Sequence, residues 1–154
     1  MAARVSEMPR IRVAALMTID GRIVVVRHRA GTTEYHLLPG GGVDYRETVG
    51  DALVREVREE TGLVATVGEP LIVSDTIDPN GSRHVVNVVM SARITGGEIT
   101  STPEDDRVVA VDLVTPDELL TLDLRPPMAA DVVAVLAEGA SARPRYLGSL
   151  FVER

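Results

Sequence analysis

Apolar positions along this chain fall into two rhythms. Short β-branched runs broken by glycine dipeptides predict strands, and apolar stripes that recur every three or four residues predict helices. The stretch IRVAALMTIDGRIVVVRHR, residues 11–29, holds two such runs around Asp20-Gly21, a dipeptide suited to two-residue turns, and so predicts a β-hairpin. A short strand is expected from Tyr35 to Leu38, followed by a turn at Gly40-Gly41-Gly42. Thr48 with Asp51 three residues on fits a helix start, and Gly62 fits the left-handed position after a last turn. The spacing therefore predicts a helix over Val49 to Thr61.

Three further strands are expected at about 64–77, 84–94 and 107–114, separated by turns at Asn80-Gly81 and Gly96-Gly97. Thr115 before Pro116-Asp117-Glu118 opens a short helix to about Leu122, and MAADVVAVLAEG a longer one that ends at Gly139. The chain from Ala140 on reads as loop plus a short strand. Strands joined by turns, with the helices grouped rather than alternating, predict an α+β sandwich instead of a doubly wound parallel sheet.

Composition narrows the function. A length of 154 residues is that of one domain, and only 3% are aromatic, so the core must be built mainly from Val, Leu, Ile and Ala. Without cysteine there is no disulfide, thiolate ligand or thiol nucleophile, which suits a reducing cytoplasm. The N-terminus MAARVSEMPR has no apolar signal core, and no run approaches the roughly 18 apolar residues of a membrane span. A net charge of −7 argues against non-specific nucleic-acid or anionic-membrane binding. An anionic ligand would need a metal or local arginines to neutralise it.

The predicted helix at 49–61 carries Glu56, Glu59 and Glu60 close together. On a helical wheel Glu60 falls about 40° from Glu56, beside Val49 and Leu53, so the acids extend the apolar stripe instead of opposing it. Glu56 and Glu60 are also a like-charge pair one turn apart, which costs more as it is desolvated. Hard oxygen donors on a rigid helix suit Mg²⁺ or Mn²⁺, which keep several waters and complete their shell with substrate phosphates. A salt-bridged helix end satisfied by Arg55 and Arg58 is the plainer alternative.

From Gly41 the spacing is five residues to Glu47, seven more to Arg55, and then Glu56, Val57, Arg58, Glu59, Glu60, Thr61, Gly62 and Leu63. This segment resembles the signature of the Nudix hydrolase family at every specified position. The resemblance implies an α/β/α sandwich around a mixed sheet with a loop-helix-loop catalytic motif. It further implies that Glu56, Glu59 and Glu60 bind the metal, with the Gly40 or Gly41 carbonyl as a further ligand. Gly40, Gly41 and Gly42 would let the diphosphate approach the main chain, while Arg55 and Glu47 would hold the loop and the glutamates in place.

Members of the family differ in where they carry the general base. The candidates here are Glu59 and the acidic run Glu104-Asp105-Asp106. Arg27, His28, Arg29, Arg83 and His84 are strand-end cations, of which strand alternation lets only one face per strand meet a phosphate; none is assigned. There is no tryptophan: His36 stands before LLPGGG, and Leu113 is where relatives often place an aromatic, so Tyr35, Tyr45, Tyr146 and Phe151 alone could stack a base. The resemblance implies Mg²⁺-dependent hydrolysis of a nucleoside diphosphate linked to another group, such as ADP-ribose or a nucleotide sugar. A house-cleaning (d)NTP pyrophosphatase and a non-catalytic nucleotide-sensing domain are the alternatives, and a homodimer is the family's expectation.

Overall fold

A computed structural model describes residues 8–151 of the chain. Its elements are β1 (Arg10–Leu16), β2 (Thr18–Ile19), β3 (Arg22–Ala30), β4 (Thr33–Leu37), β5 (Gly40–Gly42), α1 (Val49–Thr61), β6 (Leu63–Ile77), β7 (His84–Gly97), β8 (Val108–Val114), α2 (Pro116–Leu119), α3 (Ala129–Glu138), a 3₁₀ turn (Gly139–Ser141) and β9 (Arg145–Ser149). They form a mixed five-stranded sheet in the order β5-β1-β7-β6-β9, with β1–β7 and β6–β9 parallel. In a second, antiparallel sheet β3 pairs with β2, β4 and β8.

The expected hairpin over 11–29 is corrected. Asp20 and Gly21 do take positive φ, 50° and 77°, as a primed two-residue turn requires. The ladder they close is only two residues long, Thr18 with Ile23 and Ile19 with Arg22. The two apolar runs then part, β1 into the mixed sheet and β3 into the other. Both runs, Val13–Met17 and Ile23–Val26, are buried at every position. Such continuous runs mark strands covered on both faces, and a lone hairpin could cover only one.

Alternation along these strands builds two cores. Val13, Ala15, Met17 and Val24 pack with Ala52, Leu53 and Val57 of α1. Ala14, Leu16, Ile23 and Val25 face the other way, against Leu119 of α2 and Val132 and Val135 of α3. The result is the expected α/β/α sandwich, with helices on both sides of the strands. Burying Leu53 and Val57 completely contributes roughly 1.5–3 kcal/mol each to holding α1 on the sheet.

Other departures are local. Gly40–Gly42 form a strand that pairs antiparallel with β1, not a turn, and none of the three has positive φ. Gly96 and Gly97 lie inside β7, paired with Val64 and Leu63, rather than forming a turn. The helix opened by Thr115 ends at Leu119, short of Leu122. Among the described residues no helix is long and apolar enough to cross a membrane.

Candidate active site

Helix α1 is fixed at both ends. The Asp51 N–H donates to Thr48 Oγ1 at 3.0 Å, and Gly62, at φ 78°, returns its N–H to the Arg58 carbonyl at 2.9 Å. A side chain at Gly62 would meet the backbone of Glu98, so the turn is closed to other residues by packing as well as by conformation. With Leu53 and Val57 in the core, Glu60 is carried into the interior, where it is only 1% exposed.

Arg55 organises the acids around it. Its Nε and Nη2 donate to the two Glu47 oxygens at 2.9 and 2.8 Å, its Nη1 to Glu56 Oε1 at 2.8 Å, and its Nη2 to the Gly42 carbonyl at 3.1 Å. Glu59 lies further off, 3.5 Å from Nη1. The hydrogen bonds from Arg55, joined by the Asp44 N–H, hold Glu47 down to a pKa of about 2. Arg55 is itself held above its ordinary range, first by Glu47. Glu56 shifts the opposite way: burial raises it, Arg55 lowers it, and the neighbouring Glu60 and Glu59 raise it further. Arg58 is exposed and forms no ion pair among the described residues, so the plainer reading that it satisfies the acids is corrected.

The glycines serve by what they leave out. A Cβ on Gly40 would collide with the β1 backbone at Val13 and Ala14, and one on Gly41 would fall on the Glu56 carboxylate. The Gly40 N–H donates to Glu60 Oε1 at 2.6 Å, so β5 and α1 are tied through a buried charge-assisted bond. Glu60 Oε2 faces His28 Nε2 at 3.6 Å, and that nitrogen, almost fully buried, has no hydrogen-bond partner.

Among the described residues no three His, Asp or Glu side chains converge on a common point as they stand. Glu60 is engaged by Gly40, and Glu56 by Arg55. The donor set nonetheless fits a hard divalent cation, because Glu56, Glu59 and Glu60 offer oxygens alone from adjacent turns. Burial first, and then the neighbouring Glu60 and Glu59, disfavour the charged form of Glu56, and a bound cation would offset both.

The loop expected to supply a base also reaches α1. The Glu104 N–H donates to the Glu59 carbonyl at 2.9 Å and the Thr100 N–H to the Thr61 carbonyl at 2.8 Å, which brings Glu104 to the helix end with its side chain exposed. Asp105 is tied to Arg107, which lowers its pKa, and Asp106 is exposed. Arg27 and Arg29 pair outward with Glu34 while His28 points inward, in line with strand alternation.

A cavity of about 190 Å³ opens beside Gly40–Gly42, Glu60 and His28. Its remaining wall includes Tyr35, Asn87 and the arginines 10, 12, 83, 107 and 125. Tyr35 is covered by Arg125, whose guanidinium carbon is 4.4 Å from the ring centre. Tyr45 and Tyr146, two of the other aromatics, are exposed and do not line it. Sequence reasoning missed Arg12, Arg107, Arg125 and Asn87. One signal was present: Arg12 is the charged residue inside the apolar run IRVAAL.

A glycine strand, a carboxylate-bearing helix and an arginine-lined cavity are set together in an α/β/α sandwich. The chain belongs to the Nudix family, whose model, described as a NUDIX domain, matches residues 8–136. It is 34% identical over 92 residues, 59% of its length, to an ADP-ribose pyrophosphatase of Methanocaldococcus jannaschii, covering 54% of that protein. It is 33% identical over 135 residues, 81% of its length, to an 8-oxo-(d)GTP phosphatase of Mycolicibacterium smegmatis, covering 41% of that one. The chain thus spans about half the length of these curated relatives. A NUDIX hydrolase structure from Nitrosomonas europaea superposes with a TM-score of 0.75 at 20% identity, over 86% of this chain and 90% of that one, a likeness of fold.

Proposed function

We propose that the protein is a divalent-metal-dependent pyrophosphohydrolase that cleaves a diphosphate linkage in a nucleoside diphosphate joined to another group. The observation that carries this reading is the intact signature, folded so that its acids adjoin a cavity lined by arginines. Glu56, Glu59 and Glu60 would hold Mg²⁺ or Mn²⁺, with the Gly40 or Gly41 carbonyl as a further oxygen. The cation supplies charge neutralisation at the phosphoryl oxygens and a more acidic bound water. Arg55 keeps Glu56 aimed under Gly41 and, through Glu47, fixes the loop before α1. The glycine strand lets the diphosphate lie against the main chain, and the arginines orient its oxygens. Glu104 accepts the proton of the attacking water, with Glu59 as the second candidate for that role.

A (d)NTP pyrophosphatase is the second reading, favoured by the relative named 8-oxo-(d)GTP phosphatase, which aligns over 81% of the chain. A panel of ADP-ribose, nucleotide sugars, dinucleoside polyphosphates and (d)NTPs, assayed with Mg²⁺ and with Mn²⁺, decides between them. Release of two monophosphates from ADP-ribose supports the first, and release of pyrophosphate from a triphosphate supports the second. Turnover undiminished after complete metal removal would overturn both.

A further inference from the structure

Arg12 occupies an unusual place in the sheet. On β1 it pairs with Gly42 on one side and Asn87 on the other, and the next residue on the same face, Ala14, is already in the core. Arg12 lines the cavity, and its Nη2 donates to the Leu38 carbonyl at 3.0 Å. Arg27, Arg29, Arg55, Arg107, Arg125 and Arg145 each contact a carboxylate. Arg12 forms no such ion pair among the described residues. Burial holds its pKa below the ordinary value; Glu60 and Glu56 act against this, while Arg107 and Arg83 reinforce it. It remains charged all the same, because an arginine does not deprotonate in a protein.

A half-buried cation without a contacting anion is a cost the fold must carry. Like charges gathered around one cavity add to it. Two observations converge on the same ligand chemistry: the Arg12 guanidinium with no contacting carboxylate among the described residues, and the further arginines that line the same cavity. Both offer donors, and a planar guanidinium fork matches the oxygens of a phosphate.

We infer that Arg12 is the centre of an anion site, with Arg83 and Arg107 on its wall, that holds one phosphate of the substrate directly and without metal. That the anion belongs to the substrate rests on the function proposed above; that the site binds phosphate does not. The diphosphate would then lie between two compartments of opposite charge, its scissile side on the glutamates and its far side on the arginines. A substrate that presents only one phosphate would fill one compartment and bind weakly.

The test is binding of inorganic pyrophosphate in buffer stripped of metal over a chelating resin, with no soluble chelator present, since chelators are polyanions themselves. Thermal unfolding of the wild type is expected to rise with pyrophosphate, and titration calorimetry to show a matching affinity. Arg12→Met should weaken that affinity roughly 10- to 100-fold, the effect of losing charged hydrogen bonds, while Arg12→Lys retains part of it. Unliganded Arg12→Met should melt about 2–4 °C higher than the wild type, because a half-buried charge with no contacting anion has been removed. A structural role for Arg12 would lower that melting point instead.

Pyrophosphate binding equal in Arg12→Met and wild type, or absent from the wild type, would overturn the inference. An Arg12-dependent shift with an unphosphorylated nucleoside and none with pyrophosphate would overturn it too, in favour of a base-reading site. Hydrolysis is measured separately with Mg²⁺. Metal-free binding without turnover on any substrate would refute the proposed function and leave the anion site standing, whereas turnover with KM unchanged in Arg12→Met would leave the proposed function standing and overturn the inference that the anion held by Arg12 belongs to the substrate.

Discussion

Two arginines feel the charge of Glu56, and their surroundings are opposite. Arg55 gives two bonds to Glu47, one to Glu56 and one to the Gly42 carbonyl. Arg12 gives one to Leu38 and touches no carboxylate among the described residues. The first is consumed by the protein's own anions and serves to position them. The second is left for an anion that the chain does not supply. The same division runs through the acids: Glu47, partly exposed and doubly bonded, is held at about 2, while Glu56, pressed under Gly41 beside Glu60, is pushed upward. Full pairing marks scaffolding here, and incomplete compensation marks the groups kept for a ligand.

The largest effect is expected where compensation is least complete on the acidic side. Glu56→Gln should lower kcat roughly 10³-fold, the order seen when a directly acting electrostatic group is lost. Its melting temperature should hold or rise, because the charged form is already disfavoured by burial. A large fall in both would make Glu56 another scaffold residue like Glu47.

Glu104→Gln comes next, with kcat down roughly 10²-fold or more at unchanged KM and unchanged metal affinity, as expected for a general base. Steady-state kinetics on the best substrate of the panel measures it. Wild-type turnover in this variant, with loss in Glu59→Gln, would assign the proton transfer to the helix.

The two glycines of β5 should separate stability from site. Gly40→Ala forces a methyl into the β1 backbone and should destabilise by about 1–3 kcal/mol, read as a lower melting temperature. Gly41→Ala meets the movable carboxylate of Glu56 instead. It should reduce turnover roughly 10- to 100-fold with a much smaller loss of stability, the range for disturbing the support of a metal site.

The smallest effect concerns acid. The Glu47 carboxyl titrates at about 2 in the folded protein, below its ordinary 4.5. Its stabilising contribution is therefore complete above about pH 4.5 and is lost as pH falls from there through about 2. Urea unfolding midpoints of Glu47→Gln and wild type should differ most above that window and converge below it. A difference that stays constant across the window would mean that Glu47 acts through packing, not charge.

Much of the acidic region was legible in the sequence. The Thr48 cap, the Gly62 stop and the placement of Glu60 on the buried side of α1 depend on residues within a few positions of one another. The motif from Gly41 to Leu63 is local for the same reason, and a family signature can capture it. The basic region was not legible, because Arg12, Arg83, Arg107 and Arg125 are dispersed along the chain and meet only when strands from distant segments pair.

What the sequence determined by itself, then, was most of the longer strands and helices, the ends of α1, the α+β class and the acids that the helix would present. These follow from short-range rules of backbone conformation, capping and periodicity. Tertiary structure alone decided that β1 leaves its neighbour β3 for another sheet and runs parallel to β7. It also decided that Gly40–Gly42 are a strand, that the glycine at 41 makes room for Glu56, and that Arg12 has no anion of its own. Those outcomes depend on which faces become buried and on which distant groups then share the low-dielectric interior, and no window of neighbouring residues contains that information.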